Sequence, residues 1–169
     1  GYSEGFYRFP RVDYSMLKEA AKGDHLLVST ACLGGPLAYE AFSHLQKVEL
    51  DDLNAKLLDN PALLKKMMNS VGNGYEMLAD AVGSHNVMLE IQFNQLSAQH
   101  LVNRAIIEFA KQNGLSDQLV VTCDSHYAHP EHWKERELYK KLGWLNYKAF
   151  DPSKLPQSRE DLKCELYPK

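Results

Sequence analysis

Between Asn86 and Phe93 the side chains alternate without a break. Val87, Leu89, Ile91 and Phe93 fall on one face, and Met88, Glu90 and Gln92 on the other. A period of two predicts an extended strand. Leu101, Ala105, Ile106, Phe109 and Ala110 then repeat at helical spacing as far as Asn113-Gly114, and Leu119 to Cys123 is a second short, β-branched strand. Strand, helix and strand in this order form a β-α-β unit, which implies a parallel sheet and an α/β fold class.

The same grammar extends in both directions. Upstream, Asp13 is placed to cap a helix carrying Met16, Leu17, Ala20 and Ala21, with Gly23 as its stop. His25 to Thr30, between Gly23-Asp24 and Gly34-Gly35-Pro36, suits a buried parallel strand, and Pro36 sits well in the first turn of a helix running to about Lys47. From Val48 to Val82 the pattern is helical: Leu50, Leu53, Leu57 and Leu58 repeat, and Pro61 restarts a helix with Leu63, Leu64, Met67 and Met68, the methionines filling gaps in a core. Val71-Gly72-Asn73-Gly74 predicts a break before a last helix through Met77, Leu78, Ala81 and Val82. Downstream, His129-Pro130-Glu131 opens a helix carrying Trp133, Leu138 and Leu142.

The chain thus divides into an extended aromatic-basic lead-in (1–12), one α/β domain (13–145) and an irregular tail (146–169) with Pro152, Pro156 and Pro168. Its 169 residues give room for one core, and 44% apolar with 24% charged residues excludes a disordered, collagenous or coiled-coil chain. Nineteen Lys and Arg against 22 Asp and Glu leave a net charge of -3, so any contact with nucleic acid must be local. Arg8 and Arg11 among Phe6, Tyr7 and Phe9 offer such a contact, with loop packing as an equal alternative. Three cysteines, Cys32, Cys123 and Cys164, lack a disulfide-framework spacing, which points to a reducing cytoplasm. The stretch from Leu26 to Leu33 is too short to span a membrane. Gly1-Tyr2-Ser3 has neither an initiator Met nor a signal-peptide layout, so a piece of a longer chain is expected.

The sharpest chemical feature is Thr122-Cys123-Asp124-Ser125-His126-Tyr127, where a strand runs out. In extended backbone Asp124 and His126 point the same way, so a carboxylate and an imidazole can converge on one ion, at the strand ends where parallel β/α folds place their sites. A hydrogen-bonded turn is the competing reading. Cys32 also follows a strand, in Ser29-Thr30-Ala31-Cys32-Leu33-Gly34-Gly35, and is either a thiolate ligand or a small buried hydrophobe. Glu90 and Gln92 either line a site or face solvent on an edge strand. His129 and His132 suit surface polar roles better than metal ligation.

Three segments in order carry a resemblance: Gly5-Phe6-Tyr7-Arg8-Phe9-Pro10-Arg11-Val12-Asp13, then Ser29 to Gly35, then Val121-Thr122-Cys123-Asp124-Ser125-His126-Tyr127. Together with Val87-Met88-Leu89-Glu90-Ile91-Gln92, Gln99 and Asn103 they resemble the PHP (polymerase and histidinol phosphatase) domain of bacterial and phage DNA polymerase III alpha subunits, over roughly Gly5 to Trp144. The resemblance implies a distorted β/α barrel of parallel strands whose ends hold up to three metal ions. Cys32, Asp124 and His126 match the family's late cysteine and its final Asp-x-His pair. The opening His-x-His motif does not occur here, and the early strands and remaining ligands are expected before Gly1, in the same polymerase chain or in a complementary segment. Pro36 and Cys123 stand where the family often has an acidic residue and Asn.

Implied, then, is the later part of a PHP domain, contributing zinc or manganese ligands to a phosphodiesterase site of the 3′-5′ exonuclease type acting on DNA, and inactive by itself. A metal-free module bracing the polymerase is the alternative, and a histidinol-phosphatase-like phosphoesterase the second.

Overall fold

A computed structural model describes residues 11–43, 45, 59–94, 96–144 and 158. The predicted Leu50, Leu53, Leu57 and Leu58 stripe, nearly all of the lead-in with Arg8, and the tail apart from Ser158 lie outside the described residues.

Among the described residues, three short strands form the sheet: β1 (Val28–Ser29), β2 (Val87–Gln92) and β3 (Leu119–Thr122). Their order is β1-β2-β3 and both pairings are parallel, with Val28 opposite Val87 on one side and Leu89 to Gln92 opposite Leu119 to Thr122 on the other. β2 is therefore central, and the edge-strand reading of Glu90 and Gln92 is corrected. β1 is shorter and more open than the expected buried strand. Leu27 is 66% exposed, although the Thr30 N–H still bonds the Met88 carbonyl at 3.0 Å and extends the ladder by one residue.

Five helices accompany the described sheet: α1 (Tyr14–Ala20), α2 (Pro36–Phe42), α3 (Pro61–Val82), α4 (Ser97–Gln112) and α5 (Trp133–Trp144). Their starts follow local chemistry. The Asp13 carboxylate accepts the Met16 N–H at 2.9 Å, and the Asn60 carbonyl oxygen accepts from Ala62 and Leu63 ahead of Pro61. α2 stops at Phe42, short of the expected Lys47, because Ser43 already caps it.

α3 runs unbroken through Gly72 and Gly74, where a break was expected. The two glycines are contact points. A Cβ on Gly72 would meet the Phe109 ring at 3.1 Å and one on Gly74 the Leu37 methyl at 2.8 Å, so both let neighbouring helices approach without bending α3. Its buried stripe, Leu63, Met67, Val71, Leu78 and Val82, closes with Leu101, Ala105 and Ile106 of α4 over Val87 and Leu89. Met67 is fully buried, as expected of a gap-filling methionine.

Two expected core positions are exposed instead. Phe93 falls just beyond the end of β2, and Leu138 on α5 is not covered, because α5 packs chiefly on the preceding Pro130–His132 turn. The side chain of Leu142 lies outside the described residues. Among the described residues, no helix is long and apolar enough to cross a membrane.

At the end of the sheet where the strands begin, Asp24 has left-handed backbone (φ 49°). Its carboxylate accepts from the Asn86 amide at 2.7 Å and lies 3.1 Å from His85 Nε2, which ties the turn before β1 to the turn before β2. At the other end, β1 leads into α2 through a sharp turn closed by the Gly35 N–H on the Cys32 carbonyl at 2.8 Å. A Cβ on Gly35 would lie 2.2 Å from the Thr30 carbonyl oxygen, whereas one on Gly34 has only the Cys32 sulfur near it, at 3.9 Å. Gly35→Ala should therefore destabilise the protein by about 2 kcal/mol or more, while Gly34→Ala stays within about 0.5 kcal/mol of the parent in urea unfolding.

Candidate functional site

Because the three strands are parallel, the loops leaving them emerge at one end of the sheet: 30–35 after β1, 93–96 after β2 and 123–129 after β3. Neighbouring strands lie about 4.8 Å apart, which puts the exits of β1 and β3 roughly 10 Å from each other, with β2 between them.

Glu90 occupies that middle position on the face away from the helices. One carboxylate oxygen accepts from the Ser29 hydroxyl of β1; the other accepts from the Thr122 hydroxyl of β3 and from the Gln92 side-chain amide at 3.0 Å. Gln92, almost fully buried, also donates to Thr122 Oγ1 at 3.3 Å, and the Glu90 N–H donates to Thr30 Oγ1 at 2.9 Å. Burial pushes the Glu90 carboxyl up. The hydrogen bonds from Ser29, Thr122, Gln92 and the Ala31 backbone outweigh it, and the group sits below the ordinary glutamate value.

A second polar chain holds the exit of β2. Asn103 of α4 donates to the Gln92 carbonyl at 2.6 Å and accepts from the Gln92 N–H at 3.3 Å, so it completes the ladder of the last strand residue. Gln99 donates to Asn103 at 2.8 Å and accepts from Asn94 at 3.0 Å, and Asn94 in turn accepts the Leu96 N–H at 3.3 Å. Gln92, Asn94 and Gln99 are buried. This network was not legible beforehand as a unit, although Asn and Gln at 92, 94, 99 and 103 are its signal: four amides around one strand exit.

Cys32 is a half-buried free thiol in the loop after β1, one residue beyond Ala31, which has left-handed backbone (φ 62°). Asp124 and His126 lie in the exposed loop after β3. Asp124 is also left-handed (φ 49°), so the expectation that 124 and 126 point the same way from extended backbone does not hold: the strand has ended at Thr122 and the chain is turning. The turn instead brings His126 Nδ1 to 2.6 Å from the Asp124 carbonyl. A carbonyl only accepts, so Nδ1 carries the proton and, in the neutral ring, Nε2 keeps its lone pair. Metal-binding histidines are commonly held in this way.

The donor types, thiol, carboxylate and imidazole Nε2, suit zinc, and the last two also suit manganese. Among the described residues, however, no three His, Cys, Asp or Glu side chains gather closely enough to hold an ion, so Cys32, Asp124 and His126 do not make a closed centre by themselves. His129 and His132 stack edge to face at 5.3 Å on the surface, and Arg11 is exposed at the head of the described chain.

Known proteins are similar to this sequence over most of its length. It is 32% identical over 131 residues to the DNA polymerase III subunit alpha of Aquifex aeolicus, covering 77% of this chain and 9% of that protein. It is 28% identical over 151 residues to that of Chlamydia muridarum, covering 89% of this chain and 11% of the relative, and 28% identical over 137 residues to that of a Helicobacter pylori strain, covering 81% and 10%. No family model and no solved structure matches the chain. The chain is thus related to a segment of replicative polymerase III alpha subunits, and spans about a tenth of the length of the curated relatives it matches.

Two measurements test the polar architecture. Asn103→Leu should cost about 1–3 kcal/mol in urea unfolding, since it leaves the Gln92 N–H and carbonyl unpaired. Glu90 has a lowered folded-state pKa, so its contribution is present above the ordinary carboxylate range and lost as pH falls through the folded value. Stability against pH should therefore fall less steeply at the acid end in Glu90→Gln than in the parent.

Proposed function

We propose that this chain is the later part of a PHP-type domain of a DNA polymerase III alpha subunit, and that it supplies part of a metal-dependent phosphodiesterase site of the 3′-5′ exonuclease type. The carrying observation is geometric. The Cys32 loop and the Asp124–His126 loop leave the same end of one parallel sheet on either side of Glu90, and His126 is oriented by its own backbone with Nε2 available. The relatives supply the polymerase context, and the ordered motifs the domain.

In this reading Cys32, Asp124 and His126 hold zinc or manganese together with residues from outside this segment. Bound metal would polarise a water and neutralise charge on a phosphodiester, so these side chains act as ligands and not as the general base. Glu90, whose carboxylate already accepts from Ser29, Thr122 and Gln92, is a support. DNA is the substrate class, the rest of the polymerase chain the immediate partner and the cytoplasm the compartment.

The absence of a three-residue cluster among the described residues favours a second reading, a metal-free module that braces the polymerase. Elemental analysis of the full-length protein separates the two: bound zinc or manganese supports the site, and none leaves the brace. With metal present, Asp124→Asn and His126→Ala should each abolish metal-dependent nuclease activity on single-stranded DNA and leave polymerisation largely intact. Undiminished nuclease activity in either variant would refute the ligand assignment.

A further inference from the structure

We infer that Glu90 is the positioning residue of this site: by its reach it sets the separation and conformation of the two loops that carry the candidate ligands, and it touches neither metal nor substrate. The inference rests on the proposed metal site, and its geometry is independent of any ion. The two carboxylate oxygens are divided between the flanking strands, one on Ser29 and the other on Thr122. On the β1 side the gripped residue, Ser29, lies two before Ala31. Ala31 is one of three left-handed non-glycine residues among those described, and it immediately precedes Cys32. Left-handed backbone is unfavourable for alanine and persists where neighbours over-determine it. On the β3 side the gripped residue, Thr122, is the last of the strand, two before left-handed Asp124. The Glu90 backbone is fixed too, through Thr30 Oγ1, and Gln92 braces its side chain. One carboxylate thus joins three strands at the point where both arms begin.

A clamp acting by reach responds to length, whereas a ligand or a source of field responds to charge. Glu90→Gln keeps the length: its amide oxygen can accept from Thr122 and Gln92, and its NH2 can donate to the Ser29 oxygen. Glu90→Asp keeps the charge and is one methylene too short to span both neighbours.

Hydrogen exchange on the metal-free full-length protein reads the clamp directly. Glu90→Asp should speed exchange in 30–35 and 123–127 together while α3 and α4 keep their protection, and Glu90→Gln should leave both loops close to the parent. Zinc titration then reads the consequence: about 10–100-fold weaker binding in Glu90→Asp and a loss within about threefold in Glu90→Gln, the scale expected for residues that orient ligands. Parent-like loops in Glu90→Asp, or loops loosened more by Gln than by Asp, would overturn the clamp. Weaker zinc binding in Gln than in Asp would overturn it too, showing that the charge acts. A parent protein that binds neither zinc nor manganese would sink the metal site, and the exchange data would still decide the clamp.

Discussion

The carboxylate of Glu90 is where the architecture is decided. Hydrophobic burial under α3 and α4 holds the helix-facing side of the sheet together, through Val87, Leu89, Met67 and Ile106, but it is non-directional and sets no distance between strand ends. The opposite face has few such contacts. There a single side chain accepts from Ser29, Thr122 and Gln92, and its ionised form outcompetes the penalty of burial. Directional bonds of this kind specify geometry that apolar packing leaves loose. Without them β1 would be held to β2 chiefly by a short ladder, two paired residues and the Thr30 N–H on the Met88 carbonyl.

Such a face makes sense at the open end of a parallel sheet. The amide chain Gln92, Asn103, Gln99 and Asn94 satisfies the backbone of β2 where the ladder runs out, and Glu90 gathers the neighbours one turn of the pleat earlier. The loops beyond can then adopt costly conformations, as Ala31 and Asp124 do, on a firm base. In relatives some ten times longer, this would give a small segment a defined role: presenting two loops at a fixed spacing to whatever the rest of the chain brings.

Much of the fold was legible in the sequence because period carries it. The alternation of Val87 to Gln92, the helical stripe of α4 and the β-branched run at Leu119 each reported an element directly, and the parallel sheet followed from their order. What the pattern concealed was pairwise. Gly72 and Gly74 resembled a break since a glycine looks the same whether it ends a helix or admits Phe109 and Leu37 against one. Glu90 was visible as a polar position on a strand face, but its partners Ser29 and Thr122 lie 61 and 32 residues away and meet it only through the register of two pairings. The extended geometry expected for the Asp-x-His pair does not hold, because the left-handed turn at Asp124 is a local choice that strand periodicity does not report.

The central claim is that the loop after β1 and the loop after β3 serve one centre. X-ray absorption at the zinc edge of the metal-loaded full-length protein tests it most directly, since sulfur and lighter donors differ in distance. The account predicts one sulfur at about 2.3 Å beside nitrogen and oxygen at about 2.0–2.2 Å, with the sulfur lost in Cys32→Ser. A shell of nitrogen and oxygen alone in the parent would contradict it.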